Sequence, residues 1–299
     1  MFRLSFLYLG IFTFCISFFS ILNIIFSYYF NSLLNVRSYL ICLVISLILA
    51  IYLTYFNKKY INEKINFFEK LSLVIMGFFY FPLLIAIPYY LSIYNFGFVN
   101  SYFEAISGFT STGFTVIEDV RNVDEPLLIW RSVSQWIGGL YFLYSLFLLT
   151  GHSKIRIKNI YSNYEDSNLS EIRSQYAKVL INYLLLTAIV FLLLTIFGIR
   201  LFEGFNLSMT ITSSGGFLPT NLLEDIIKSD NQKIIFSLCM LFPLFNLYLI
   251  YNMIFGFRSL NDNQEDFYLS ILLLFVFVSQ YFFFNNSFDS LIFCKNFCT

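Results

Sequence analysis

The sequence predicts an all-α membrane protein of about seven transmembrane helices, and three observations carry that expectation. Of 299 residues, 58% are hydrophobic and 12% charged, about half the ~25% charged share of soluble domains. The apolar residues gather in seven runs, most of them close to the roughly 20 residues that cross a ~30 Å hydrocarbon layer. Two of the connecting segments repeat one pattern, a short apolar stretch followed by a Ser/Thr/Gly cluster. Together these exclude a disordered, collagen-like or ordinary soluble chain.

The runs are 4–30, 39–56, 71–94, 127–150, 176–199, 234–257 and 267–284. The first has no small-residue cleavage motif and is followed by further spans, so it reads as a retained helix rather than a signal peptide. Eleven of the eighteen Lys and Arg fall in segments that share a side with the N-terminus. By the positive-inside rule, the N-terminus is cytoplasmic and the C-terminus outside a multi-pass cell (inner) membrane protein. Eighteen acids balance the eighteen bases, leaving no net pull toward nucleic acid.

The outer segments 95–126 and 200–233 are apolar for loops. Each opens with a stretch too short to cross, Tyr102 to Phe109 and Phe202 to Ile211, then meets the hydroxyl/glycine cluster, and only then becomes acidic. This suits a re-entrant element, since irregular backbone is tolerated at depth only where it lines a cavity or is buried in protein; an interfacial helix and surface turn is the alternative. Setting Gly113 against Gly215 matches Thr110, Ser111 and Thr112 with Thr212, Ser213 and Ser214. The chain then divides into an N-terminal helix pair and cytoplasmic linker (1–70), a first helix–pore loop–helix repeat (71–150), a cytoplasmic loop (151–175), a second repeat (176–257) and the start of a truncated third (267–299). Both loops enter from one side, as parallel repeats around an axis along the membrane normal do. Small hydroxyl residues and glycine let successive carbonyl oxygens line a narrow path and replace the hydration shell of a monovalent cation. Short pore helices add their partially negative C-terminal ends.

FEAISGFTSTGFT (Phe103 to Thr115), PLLIWRSVSQWIGGL (Pro126 to Leu140) and TITSSGGF (Thr210 to Phe217) resemble the potassium-transport superfamily of Trk, Ktr and plant HKT proteins, most closely the TrkH-type subunit. The resemblance implies a potassium-channel-like pseudo-fourfold architecture of four repeats. It implies selectivity-filter residues Thr110, Ser111, Thr112 and Gly113 from the first repeat and Thr212, Ser213, Ser214 and Gly215 from the second, which would hold potassium through backbone carbonyls. Gly113, where some members carry serine, leans toward potassium over strict sodium selectivity. The implied function is potassium or monovalent-cation uptake by passive permeation, with no covalent chemistry and no cofactor. The implied partners are the bilayer, the transported ion and a cytosolic nucleotide-binding regulator of the TrkA or KtrA type. Loops 57–70 and 151–175 are where such a regulator would dock.

Two repeats are half of the family's four. Phe288-Asp289 falls where Phe202-Glu203 opens the second pore helix, and Glu203 precedes Gly215 by twelve positions, so a third glycine would be expected near position 301. Three readings stay open: a piece of a longer gene, a split transporter, and a homodimer whose two copies supply four loops. A membrane scaffold or regulatory subunit that does not conduct is the alternative function. A membrane enzyme has little material here: His152 is the single histidine, and Cys15, Cys42, Cys239, Cys294 and Cys298 are scattered. Of the remaining residues, Arg131 is expected to snorkel to the outer interface, with a pair to Glu104 as the alternative. Trp130 is expected as an interface anchor and Trp136 as a packing residue. Gly138-Gly139 would permit close helix approach, Pro82, Pro88 and Pro243 would kink their spans, and Gln135 and Asn246 would hydrogen-bond between helices.

Overall fold

A computed structural model describes residues 3–60, 66–150 and 169–244. Eight α-helices occur among them: α1 (Arg3–Tyr29), α2 (Val36–Asn57), α3 (Phe67–Tyr90), α4 (Phe98–Phe109), α5 (Glu125–Thr150), α6 (Leu169–Ile196), α7 (Leu201–Thr212) and α8 (Asp230–Leu241). Five are long and apolar enough to cross a membrane: α1, α2, α3, α5 and α6. The sixth expected span begins as α8. The run 267–284 lies outside the described residues, as do Asn246, His152, Cys294 and Cys298.

Local chemistry sets several helix ends away from the limits of the apolar runs. α3 starts four residues before the run at 71 because Asn66 and Glu69 form a capping box, which satisfies two otherwise orphaned donors. α5 starts at Glu125 because the Asp124 carbonyl accepts from the N–H groups of Leu127 and Leu128 at 3.0 and 3.1 Å, and Pro126 sits in a first turn that needs no N–H from it. A second capping box, Ser229 with Gln232, opens α8. α8 gives way at Leu241 to a 3₁₀ turn, Phe242–Leu244, containing Pro243, which has no N–H to continue an α-helix.

α1 and α2 form an antiparallel hairpin zipped by short polar side chains: Ser17 Oγ donates to Ser46 Oγ at 2.8 Å and Ser20 Oγ to Cys42 Sγ at 3.5 Å. The hairpin seats on the first repeat, where Ser5 Oγ donates to the Glu69 carbonyl at 2.9 Å and Asn23 Nδ2 to that of Pro126 at 3.0 Å. α3 runs through Pro82 and Pro88. Pro88 leaves the Leu84 carbonyl without its usual helical donor, and Cys42 Sγ supplies one at 3.5 Å. At the next residue, Trp130 Nε1 donates to the Ile85 carbonyl at 3.0 Å. Trp130 is therefore a fully buried packing residue. The expected interface anchor is corrected, because the carbonyl it serves lies inside the bundle. Trp136 packs as expected, its Nε1 donating to Thr187 Oγ1 at 3.0 Å and tying α5 to α6.

The main core is aromatic. Phe81 lies 4.9 Å from Phe12, 5.0 Å from Tyr141 and 5.7 Å from Phe109, ring centre to ring centre, pairs worth about 0.5–1.5 kcal/mol each beyond their buried area. This joins α1, α3, α5 and the end of α4. Val190, Leu194, Leu207, Ile211 and Phe236 make a second core under α7.

Candidate functional site

Helices α4 and α7 are twelve residues each, and the landmarks of the first, from the residue that precedes it to the turn that leaves it, recur 103 positions later in the second. A left-handed residue precedes each helix, Asn95 at φ 53° and Gly198 at φ 86°. Each C-cap has φ −86°, at Thr110 and Ser213. The next residue is left-handed in both, Ser111 and Ser214 at φ 54°. The N–H groups of Thr112 and Gly215 then turn back to the carbonyls of Ser107 and Thr210 at 2.9 and 2.8 Å. Ser107 Oγ donates to the Phe114 carbonyl, and Thr210 Oγ1 to that of Phe217.

This offset corrects the sequence alignment by one residue. Gly113 is matched by Gly216, not Gly215, so Thr110–Phe114 (TSTGF) lies over Ser213–Phe217 (SSGGF). Thr212, expected as the first residue of the second loop, is the last residue of α7. It is buried, with Oγ1 donating to the Ser208 carbonyl at 2.6 Å. Two adjacent glycines in SSGGF left the register open, and the hydrogen-bonded turn selects the second.

The loops meet at these glycines. A Cβ on Gly113 would lie 2.7 Å from Gly216 Cα, a distance no real side chain occupies, and Gly113 is left-handed at φ +80°. Glycine is required there for both reasons. Among the described residues, no hydrogen bond ends on the carbonyl oxygens of Thr110 to Gly113 or of Ser213 to Gly216. Thr110, Thr112, Ser214 and Gly216 are exposed and Ser111, Gly113 and Gly215 half-buried, so these oxygens, without a protein partner among the described residues, are open to water or to a ligand. Thr110 and Thr112 are exposed beside the first stretch, their hydroxyls 2.6 Å apart.

α5 supports both loops from one face. Gly138 lets it approach the end of α4 so closely that a Cβ would collide with the Phe109 carbonyl oxygen. One turn back, the Gln135 oxygen accepts from the N–H groups of Gly216 and Phe217 at 3.0 and 3.1 Å while its nitrogen donates to Thr210 Oγ1 at 3.1 Å. The expected interhelical hydrogen bond of Gln135 is thus made to the second loop. One further turn back lies Arg131, 2% exposed, with Nε donating to Glu104 Oε1 at 2.9 Å. The snorkelling position is corrected in favour of the Glu104 pair, because α4 brings a buried carboxylate within reach of the guanidinium. Glu104 also accepts from the Thr115 hydroxyl and from the Val116 N–H at 3.0 Å. Removing one partner of such a buried pair costs about 3–5 kcal/mol, since a lone charge is left behind. Sequence reasoning underweighted this group. The signal for it was the spacing 131, 135, 138 on one helix face, with a charge in an otherwise apolar span.

Outside the spans, the segments that follow the loops are clasped together. Asn221 Nδ2 donates to Asp119 Oδ1, its Oδ1 accepts from the Val120 N–H, and Arg121 pairs with Asp225. The Asn221 amide, followed by the Arg121 N–H, holds the Asp119 carboxyl below the usual range. Asp124 anchors the α1–α2 hairpin through Asn35 Nδ2 at 2.8 Å and the α3–α4 connection through Tyr94 OH at 3.0 Å. Its burial raises the carboxyl above the usual range.

Five helices long and apolar enough to cross a membrane, with two matching short helices and loops between them, define an all-helical multi-pass membrane protein. The TrkH cation transport protein family matches residues 37–242, and the chain belongs to that family. It is 33% identical over 138 residues to an uncharacterized cation transporter of Methanocaldococcus jannaschii, covering 46% of this chain and 29% of that one. It is 28% identical over 152 residues to the Trk system potassium uptake protein TrkG of Escherichia coli, covering 48% and 31%. The crystal structure of the potassium transporter TrkH from Vibrio parahaemolyticus shares the fold with a TM-score of 0.73 at 17% identity, over 90% of this chain and 54% of that one. The chain thus spans about half the length of the solved transporter, and its matched segments cover under a third of the curated relatives.

Proposed function

We propose that this chain takes part in potassium, or more broadly monovalent-cation, uptake across the cell membrane and supplies two of the loops of a carbonyl-lined filter. One observation carries the reading: among the described residues carbonyls 110–113 and 213–216 accept no protein hydrogen bond, in two loops that leave matching helices by the same turn and meet at Gly113 and Gly216. Such oxygens replace water around a dehydrated cation. Gly113 leans the filter toward potassium.

Half a ring does not dehydrate an ion, so two further loops come from a second copy or from the remainder of a longer assembly. The N-terminus is cytoplasmic by its Lys/Arg distribution, and a cytosolic nucleotide-binding regulator of the TrkA or KtrA type would dock on that side. The test is growth of a potassium-uptake-deficient strain on limiting potassium, with the chain expressed alone and with a TrkH-type subunit lacking its first two repeats. Growth restored in either case and lost on Gly113→Asp supports the reading. No growth in both, with the protein present in the membrane, removes it in favour of a scaffold.

A further inference from the structure

The 103-residue offset also shows what the second repeat lacks. Glu104 corresponds to Leu207 and Thr115 to Leu218, and α8, which starts 105 positions after α5, sets the apolar Ile234, Ile235 and Phe236 against Arg131, so among the described residues the second loop has no matching ion pair behind it. The first repeat's arginine serves it instead. Arg131 Nη2 donates to Thr115 Oγ1 at 3.1 Å and Nη1 to the Leu218 carbonyl at 3.4 Å. Those are equivalent positions, two residues past each loop glycine. The guanidinium also lies 4.3 Å from the centre of the buried Phe217 ring, a favourable cation–π distance. Glu104 fixes the third edge at Nε.

We propose that Arg131 is a positioning residue that locks the two loops in one relative register, with Glu104 holding its orientation, and that this register sets which cation the filter prefers. The inference rests on the filter reading above; the locking itself does not. A planar guanidinium presents donors on several edges at once and stacks on an aromatic ring, which an ammonium does neither of in this geometry. Lysine at 131 can keep the charge pair with Glu104 and hence the first loop, but it cannot also reach Leu218 and cover Phe217. The two loops are therefore separable by mutation.

The test uses the purified full chain and the same variants in cells. Arg131→Lys keeps a buried charge pair, and the double variant Glu104→Gln/Arg131→Gln removes both charges so that neither is left alone. Backbone hydrogen exchange is followed in peptides covering 113–118 and 215–220. Arg131→Lys should speed exchange about fivefold or more in 215–220 while leaving 113–118 unchanged, and the double variant should speed both. Where the expressed protein takes up rubidium, the potassium-over-sodium preference should fall by about tenfold in each variant. Wild-type exchange at 215–220 in Arg131→Lys overturns the locking, whether or not the double variant folds. Altered exchange with an unchanged ion preference overturns the link to selectivity. Absence of rubidium uptake by wild type both alone and together with a TrkH-type subunit lacking its first two repeats counts against the filter reading, and the exchange pattern then decides the locking alone.

Discussion

Replacing Gly113, Gly215 and Gly216 singly with alanine separates the structural register from the one that sequence alignment favours. At Gly113 an added methyl meets two obstacles. The left-handed φ of +80° costs an L-residue about 1–2 kcal/mol. The contact 2.7 Å from Gly216 Cα is with backbone, so relief needs loop movement at about 1–3 kcal/mol. The total is about 2–5 kcal/mol. At Gly216 the new Cβ would sit 3.2 Å from Gly113 Cα with no left-handed backbone, which places the cost near the low end of overpacking, about 1 kcal/mol. At Gly215 the methyl would collide with the Gln135 carboxamide. It displaces a flexible group that holds the second loop, for up to about 3 kcal/mol at roughly 1 per hydrogen bond. Thermal unfolding of the detergent-solubilised chain measures the order. Gly113→Ala should lower the midpoint by roughly 5–15 °C and Gly216→Ala by roughly 2–4 °C. A neutral Gly113→Ala, or a Gly216→Ala as damaging, would refute the loop geometry on which the reasoning stands.

Other outcomes follow from the same contacts. Gln135→Leu takes the acceptor from the N–H groups of Gly216 and Phe217, at about 1–3 kcal/mol for the donor of the buried Phe217 and less for that of the exposed Gly216. Exchange should therefore rise in 215–220 and not in 113–118. Trp130→Phe keeps most of the packing but strips the donor from the Ile85 carbonyl, so stability in the same unfolding assay should fall by about 1–3 kcal/mol. The two outer carboxyls should respond to pH with opposite sign. Asp119, lowered by Asn221, contributes stability present above its unfolded value of about 4 and lost as pH falls through its folded value. Asp124, raised by burial, contributes stability that is complete below about pH 4 and lost as pH rises through its folded value. Unfolding midpoints across about pH 3 to 7 should lose the first trend in Asp119→Asn and the second in Asp124→Asn.

Five of the spanning helices and the two short helices before the loops were legible in the sequence because apolar length and a repeated hydroxyl/glycine cluster are local signals. The one-residue register was not. TSSGGF contains two glycines and three hydroxyl residues, and only the turn-back of Gly215 N–H onto Thr210 shows which glycine is equivalent to Gly113. Arg131 was misjudged for a related reason. A lone arginine one turn into a span reads as snorkelling until α4 folds Glu104 against it. Trp130 near a span end reads as an anchor until α3 packs against it and the Ile85 carbonyl accepts its indole N–H. In each case the deciding partner lies tens of residues away, beyond what composition and periodicity report.

The central claim is that the loops at Gly113 and Gly216 select a cation. Rubidium uptake, in cells in which this chain supports it, competed by potassium and by sodium and compared between wild type and Gly113→Ser, tests it most directly. Sodium should compete poorly against wild type and markedly better against the serine variant, because a hydroxymethyl group at this backbone contact displaces the carbonyls that fit the larger ion. An unchanged competition profile at unchanged expression would contradict it.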